Sequence, residues 1–148
     1  MNNFNEEEPH YLLDSNIVSE IIKPEPNFNV IEKIAAHNSD CAICAPVWQE
    51  LLFGLYRMPE GINKKYLERF IKDDVHESFK IKNYTEKAAA IQAQLRARLE
   101  KLGKPTQKED SMIAAIALAN HMVLVTRNIR HFEAIQEVSS LQIENWFE

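Results

Sequence analysis

The residues of this 148-residue chain that could do chemistry stand where apolar runs give way to polar ones. Asp14 follows Tyr11–Leu13, and Glu50 lies four residues beyond Pro46, after the apolar stretch Cys41–Ala45. Asp110 immediately precedes SMIAAIALAN, and Asn128 closes Thr126-Arg127-Asn128 after Met122–Val125. Singly, each has an ordinary use. Asp14 or Asn16 can cap a helix, Asp110 suits a helix N-terminus, and Asn128 suits a turn. Glu50 is harder to explain, because it sits among Trp48, Leu51 and Leu52, a costly place for an unpartnered carboxylate. Three carboxylates on one rim repel and raise one another's pKa unless a cation lies among them. An all-oxygen donor set selects Mg²⁺ or Mn²⁺ over zinc. Such an ion polarises a phosphate and acidifies a bound water.

The elements that must position these groups follow from pattern and punctuation. Tyr11–Leu13, Cys41–Ala45, Met122–Val125 and Leu141–Glu144 read as short buried strands, and alternation over His76–Ile81 predicts another nearer an edge. Helices are expected over Asn16–Lys23, stopped by Pro24 and Pro26, and over Asn29–His37. Further helices are expected from Pro46 to about Met58, over Asn63–Lys72, and over Ile129–Ile135. Thr85 can cap Glu86–Leu102, which Gly103 closes, with Ile91, Leu95, Leu99 and Leu102 as its core-facing stripe. Thr106–Glu109 fits a capping box, and that accounts for Glu109. Strands alternating with helices predict a three-layer α/β/α domain on a mostly parallel sheet, with ligands beyond the strands' carboxyl ends.

Composition sets the limits. With 45% hydrophobic and 26% charged residues the chain can bury a core, and no run is long and apolar enough for a membrane span. MNNFNEEEPH has no basic leader, so residues 1–10 are expected to be a flexible tail on one domain, 11–148, in the cytoplasm. Cys41 and Cys44 lack a second ligand pair for zinc and a following helix start for redox chemistry, so they read as core residues. Net charge is −5, but Lys80–Lys108 holds eight basic residues against Glu86 and Glu100, leaving −11 elsewhere. Lys87, Arg98 and Lys101 fall near one exposed stripe, either ordinary solvated surface or a phosphate-binding band.

YLLDSN, VWQELLFGL, KEDSMIAAIALA, LVTRNIRHF and IENW, in that order from Tyr11 to Trp146, resemble the PIN-domain ribonucleases, and among them the VapC-type toxins of bacterial toxin–antitoxin pairs. The resemblance implies that Asp14, Glu50 and Asp110 hold Mg²⁺ or Mn²⁺, with Asn128 at a fourth, usually acidic position. It implies that Asn16 and Thr126 orient the first carboxylate, and that Ser15 stands where threonine is usual. It further implies endonucleolytic cleavage of structured RNA such as transfer or ribosomal RNA, a cognate antitoxin whose tail covers the site, and a homodimer. Phosphate contacts would come from Arg127, Arg130, Arg98 and Lys101. His131, beside Phe132, reads as a helix residue or phosphate contact rather than a base. Two other readings are a haloacid-dehalogenase-like phosphatase, which wants an acid where Asn16 stands, and an inactive PIN-like binding module, suggested by Asn128.

Overall fold

A computed structural model describes residues 8–148. Five strands, β1 (Tyr11–Leu13), β2 (Cys41–Cys44), β3 (Lys80–Lys82), β4 (Val123–Val125) and β5 (Ile143–Glu144), form one sheet. Their order is β3-β2-β1-β4-β5, and every pairing is parallel. Parallel neighbours need long crossovers, and the helices supply them on both faces. These are α1 (Ser15–Val18, running on as a tighter turn over Ser19–Ile22), α2 (Phe28–Ala36), α3 (Ala45–Tyr56) and α4 (Ile62–Arg69). The others are α5 (Glu86–Lys101), α6 (Lys108–Ala119) and α7 (Glu133–Glu137). This is the expected α/β/α domain.

The core explains the layering. β2 is buried at every residue, and α6 buries Ser111 and the run Ile113–Ala117, so it lies between the sheet and α5. Alanines at that crossing let the two helices approach closely. Gly103 ends α5 at φ +69, a left-handed conformation that costs other residues roughly 1–2 kcal/mol, and Lys104 N–H then bonds back to Leu99 C=O at 2.8 Å.

Three expectations need correction. His76–Ser78 is helical, the end of a continuous run from α4 through a wide turn at Phe70–Val75, and the strand is Lys80–Lys82. Alternation over six residues matched both periods, and the preceding helix decided it. The buried stripe of α5 is Ala88, Gln92, Leu95 and Leu99, whereas Leu102 is exposed. The capping box does not form: α6 is preceded by Gln107, with no side-chain cap, and Thr106 lies outside the helix. The expected tail, residues 1–10, lies mostly outside the described residues, which begin at Glu8. Glu8 pairs with Lys82 at 2.7 Å, Pro9 is buried, and His10 exchanges backbone bonds with Asp40 and Val123. Among the described residues, no helix is long and apolar enough to cross a membrane.

Candidate active site

The chain leaves β1 to build β2 and β3 on one side, then returns to place β4 on the other. The carboxyl ends of β1 and β4 are therefore the switch point of the sheet, where a crevice opens. Asp14 ends β1 and Thr126 ends β4. Asp14 N–H bonds Val125 C=O at 2.9 Å, which locks the two strand ends together. Asp14 also caps α1, its Oδ1 accepting from Ser15 N–H at 2.8 Å. Its other oxygen, Oδ2, accepts from Thr126 Oγ1 at 2.8 Å and from Asn16 Nδ2 at 3.3 Å. Asn16 Oδ1 in turn accepts Arg127 N–H at 3.1 Å, and Thr126 Oγ1 accepts Asn128 N–H at 3.1 Å. The capping and functional readings of Asp14 thus coexist. One oxygen caps, and the other is aimed by Thr126 and Asn16.

Glu50 reaches the same rim from α3, one turn in from the end of β2. Its Oε2 accepts from Ser15 Oγ at 2.7 Å, so the residue beside Asp14 tethers the second carboxylate. Asp110, in the first turn of α6, completes the set, with His131 Nδ1 at 3.7 Å from its Oδ2. The electrostatics are consistent with one rim. Burial pushes the Asp14 carboxyl above its ordinary range and the charge of Glu50 adds to this, while the bonds from Thr126, Ser15 and Asn16 pull it back. Burial likewise raises Glu50, as does the carboxyl of Glu109 beside it, against the bond from Ser15. Burial raises Asp110, helped by Asp14 and Glu50 and opposed by His131.

Glu109 is the residue that sequence reasoning missed. Its identity fitted a local capping pattern, yet its carboxyl faces Glu50 instead. The available signal was its place beside Asp110 at the start of a helix that buries most of its length. Asn128 is exposed and tied in through its backbone N–H, and its side chain makes no hydrogen bond to the acids among the described residues. Arg127 and Arg130 are exposed on the segment after β4, with the Arg127 guanidinium 4.5 Å from the centre of the Phe147 ring. Arg98 and Lys101 are not brought to this rim. Arg98 donates to Val138 C=O at 3.0 Å and borders a hollow with His121, Ser139 and Ser140, residues that precede β4 and β5 at the opposite edge of the sheet. Lys101 is the last residue of α5. Cys41 and Cys44 are free and buried, and burial pushes both thiols up to about 12, so they have neither the access nor the acidity of a redox pair.

Residues 11–138 match the PIN domain family. The chain is 31% identical to the tRNA(fMet)-specific endonuclease VapC of Shigella flexneri over 92% of its length and 97% of that protein's. It is 30% identical to toxin FitB of Neisseria gonorrhoeae over 83% of its length and 91% of that protein's. The chain belongs to the PIN domain family, among the VapC-type toxins. The solved FitAcB structure from Neisseria gonorrhoeae superposes with a TM-score of 0.84 at 28% identity, covering 93% of this chain and 99% of that one.

The structure brings Asp14, Glu50 and Asp110 to the same rim. As the side chains lie, no three of the described His, Cys, Asp or Glu residues stand close enough together to grip one ion. The donor chemistry nonetheless fits a hard divalent cation. The three groups are carboxylates, two of them hold charges that raise their neighbours, and no thiol or second imidazole competes.

Proposed function

We propose that this protein is a metal-dependent endoribonuclease, the toxin of a toxin–antitoxin pair, that hydrolyses phosphodiester bonds of structured RNA, transfer RNA foremost. The carrying observation is the carboxylate rim at the switch point, with Asp14 oriented by Thr126 and Asn16, Glu50 tethered by Ser15, and Asp110 near enough for the charges of both to raise its carboxyl. The names of the relatives, a tRNA(fMet)-specific endonuclease among them, support RNA as the substrate.

Asp14, Glu50 and Asp110 would hold Mg²⁺ or Mn²⁺. When bound, the ion supplies charge neutralisation at the phosphate and a water of lowered pKa. The chain's own residues do the rest. Ser15 N–H keeps Asp14 Oδ1 engaged in capping, Thr126 and Asn16 fix Oδ2, and the Ser15 hydroxyl keeps Glu50 on the same side. Arg130, and Arg127 from its place over the Phe147 ring, are exposed beside the rim and would meet backbone phosphates, which fix register without reading bases. Asn128 in place of the usual acid lowers the negative charge that RNA must approach.

The antitoxin also has a place to sit. A groove of about 400 Å³ leads outward from Ser15 and Glu50 between α1, α3 and α4, bordered by Leu51, Phe53, Gly54 and Arg57. Phe53, Tyr56, Ile62 and Tyr66 are exposed around it, an unusual density of apolar surface. An antitoxin tail laid there would cover the acids. The solved neighbours, FitAB on DNA and VapBC complexes, support such a pairing.

The test is cleavage of purified transfer RNA. Activity disappears in EDTA and returns with Mg²⁺ or Mn²⁺, while Zn²⁺ restores little. Strong cleavage in excess chelator overturns the metal requirement.

A further inference from the structure

We infer that Gln92 is a positioning residue for this reaction, clamping the first turn of α6 to α5 and so fixing Asp110 in the rim; the inference rests on the nuclease reading above. Gln92 lies on the buried stripe of α5 and is 3% exposed, an uncommon place for an amide. Its Nε2 donates to Lys108 C=O and to Ser111 Oγ, both at 3.0 Å, and its Oε1 accepts from the Tyr84 hydroxyl. Ser111, itself fully buried, donates from Oγ to Lys108 C=O at 2.8 Å. Lys108 C=O can only accept, so the amide orientation is forced. Every polar group in the cluster is satisfied.

The clamped residues, Lys108 and Ser111, bracket Glu109 and Asp110. α6 lacks a side-chain cap, and an uncapped first turn frays. Gln92 therefore does for this helix what the absent capping box does not. It also works from a neighbouring helix, so it ties the acid's height and azimuth to the rest of the fold.

Removing the clamp should not unfold the protein. In Gln92→Met the side chain keeps its length, Ser111 keeps its bond to Lys108 C=O, and the Tyr84 hydroxyl, on a residue 41% exposed, turns to water. The full chain is compared with Gln92→Met in two ways. Amide hydrogen exchange without metal is expected to quicken at least about tenfold at Ser111 and Met112 in the variant, with the rest of α6 unchanged. Cleavage of transfer RNA with Mg²⁺ is expected to show kcat lowered about ten- to hundred-fold with KM for RNA unchanged. A merely structural loss would lower the amount of active protein and leave the metal optimum alone. Here the Mg²⁺ concentration for half-activation rises as well.

Unchanged exchange at Ser111 and Met112 overturns the clamp. Quickened exchange with wild-type kcat overturns its role in positioning. If the wild type cuts no RNA, the nuclease reading falls, and exchange alone decides whether the clamp exists. Should Gln92→Met fail to fold, Tyr84→Phe removes only the hydroxyl that orients the amide. A several-fold lower kcat is then expected, and wild-type kcat and exchange in that variant overturn the inference.

Discussion

Asp14 is asked to do two things with one carboxylate, and its surroundings show the cost. It is 6% exposed, near another carboxylate, and its pKa is raised chiefly by burial. A carboxyl whose folded pKa lies above its unfolded value binds more protons when folded, so stability falls as pH rises. Glu50 and Asp110 are shifted in the same direction. In the metal-free protein these three groups therefore contribute stability that is fully present below the ordinary carboxylate range, whereas Glu8 and Glu20, held below that range by Lys82 and Lys23, act in the opposite sense. Their contribution is lost as pH climbs through their raised values, a trend that thermal melts of the wild type against an Asp14 variant at several pH values will reveal. Asp14→Asn keeps the shape, and its amide oxygen can still cap Ser15. It should abolish RNA cleavage, raise the metal-free Tm at pH 7, and flatten that pH trend. A lower Tm together with retained cleavage would mean that Asp14 is only a cap. The site was legible in the sequence at this scale wherever a strand end announced it: Asp14, Asn16, Thr126 and Glu50 all follow apolar runs. Glu109 was not legible, because Thr106–Glu109 satisfied a local rule that the fold did not use.

At the scale of elements, the direction of α5 decides what its basic residues can touch. α5 leaves the site end of β3 and descends, so its late residues Arg98 and Lys101 accompany the strands' amino ends, away from the acids. Changing both to Ala should leave RNA affinity, and its dependence on salt, as in the wild type. The pair Arg127→Ala and Arg130→Ala should instead flatten the slope of log affinity against log salt by about 0.7 per lost phosphate contact. Filter binding across a salt series distinguishes the two pairs, and a reversed result would place the RNA on the far edge. Helical periodicity gave α5 its length and its caps but not its azimuth. Ile91, Leu95, Leu99 and Leu102 and the observed Ala88, Gln92, Leu95 and Leu99 differ by a fraction of a turn, and a polar Gln92 hid the true stripe. The run from α4 to β3 failed for a related reason, since a wide turn at Phe70–Val75 changes the period in mid-helix.

At the scale of the whole molecule, acids and apolar surface are neighbours: the groove that starts at Glu50 ends among exposed aromatic side chains on α3 and α4. Phe53 is 57% exposed and outside the carboxylate rim, with the Arg57 guanidinium over its ring at 5.1 Å. Phe53→Glu should weaken binding of the co-expressed cognate antitoxin by about 1–2 kcal/mol, read by calorimetry, while the freed toxin cuts RNA at its usual rate. Equal affinity would move the antitoxin to another face. The strand order has a consequence for how such a protein is made. Asp14 and the Thr126 hydroxyl that aims it are 112 residues apart, joined only when β4 slides in beside β1. During synthesis Asp14 and Glu50 emerge first, and Asp110 and Thr126 follow only after β3 and α5 have been made. A chain that stops before β4 therefore lacks the hydroxyl that aims Asp14. The last group that aims Asp14 is thus made some 112 residues after Asp14 itself, so the completeness of the rim depends on the late part of the chain.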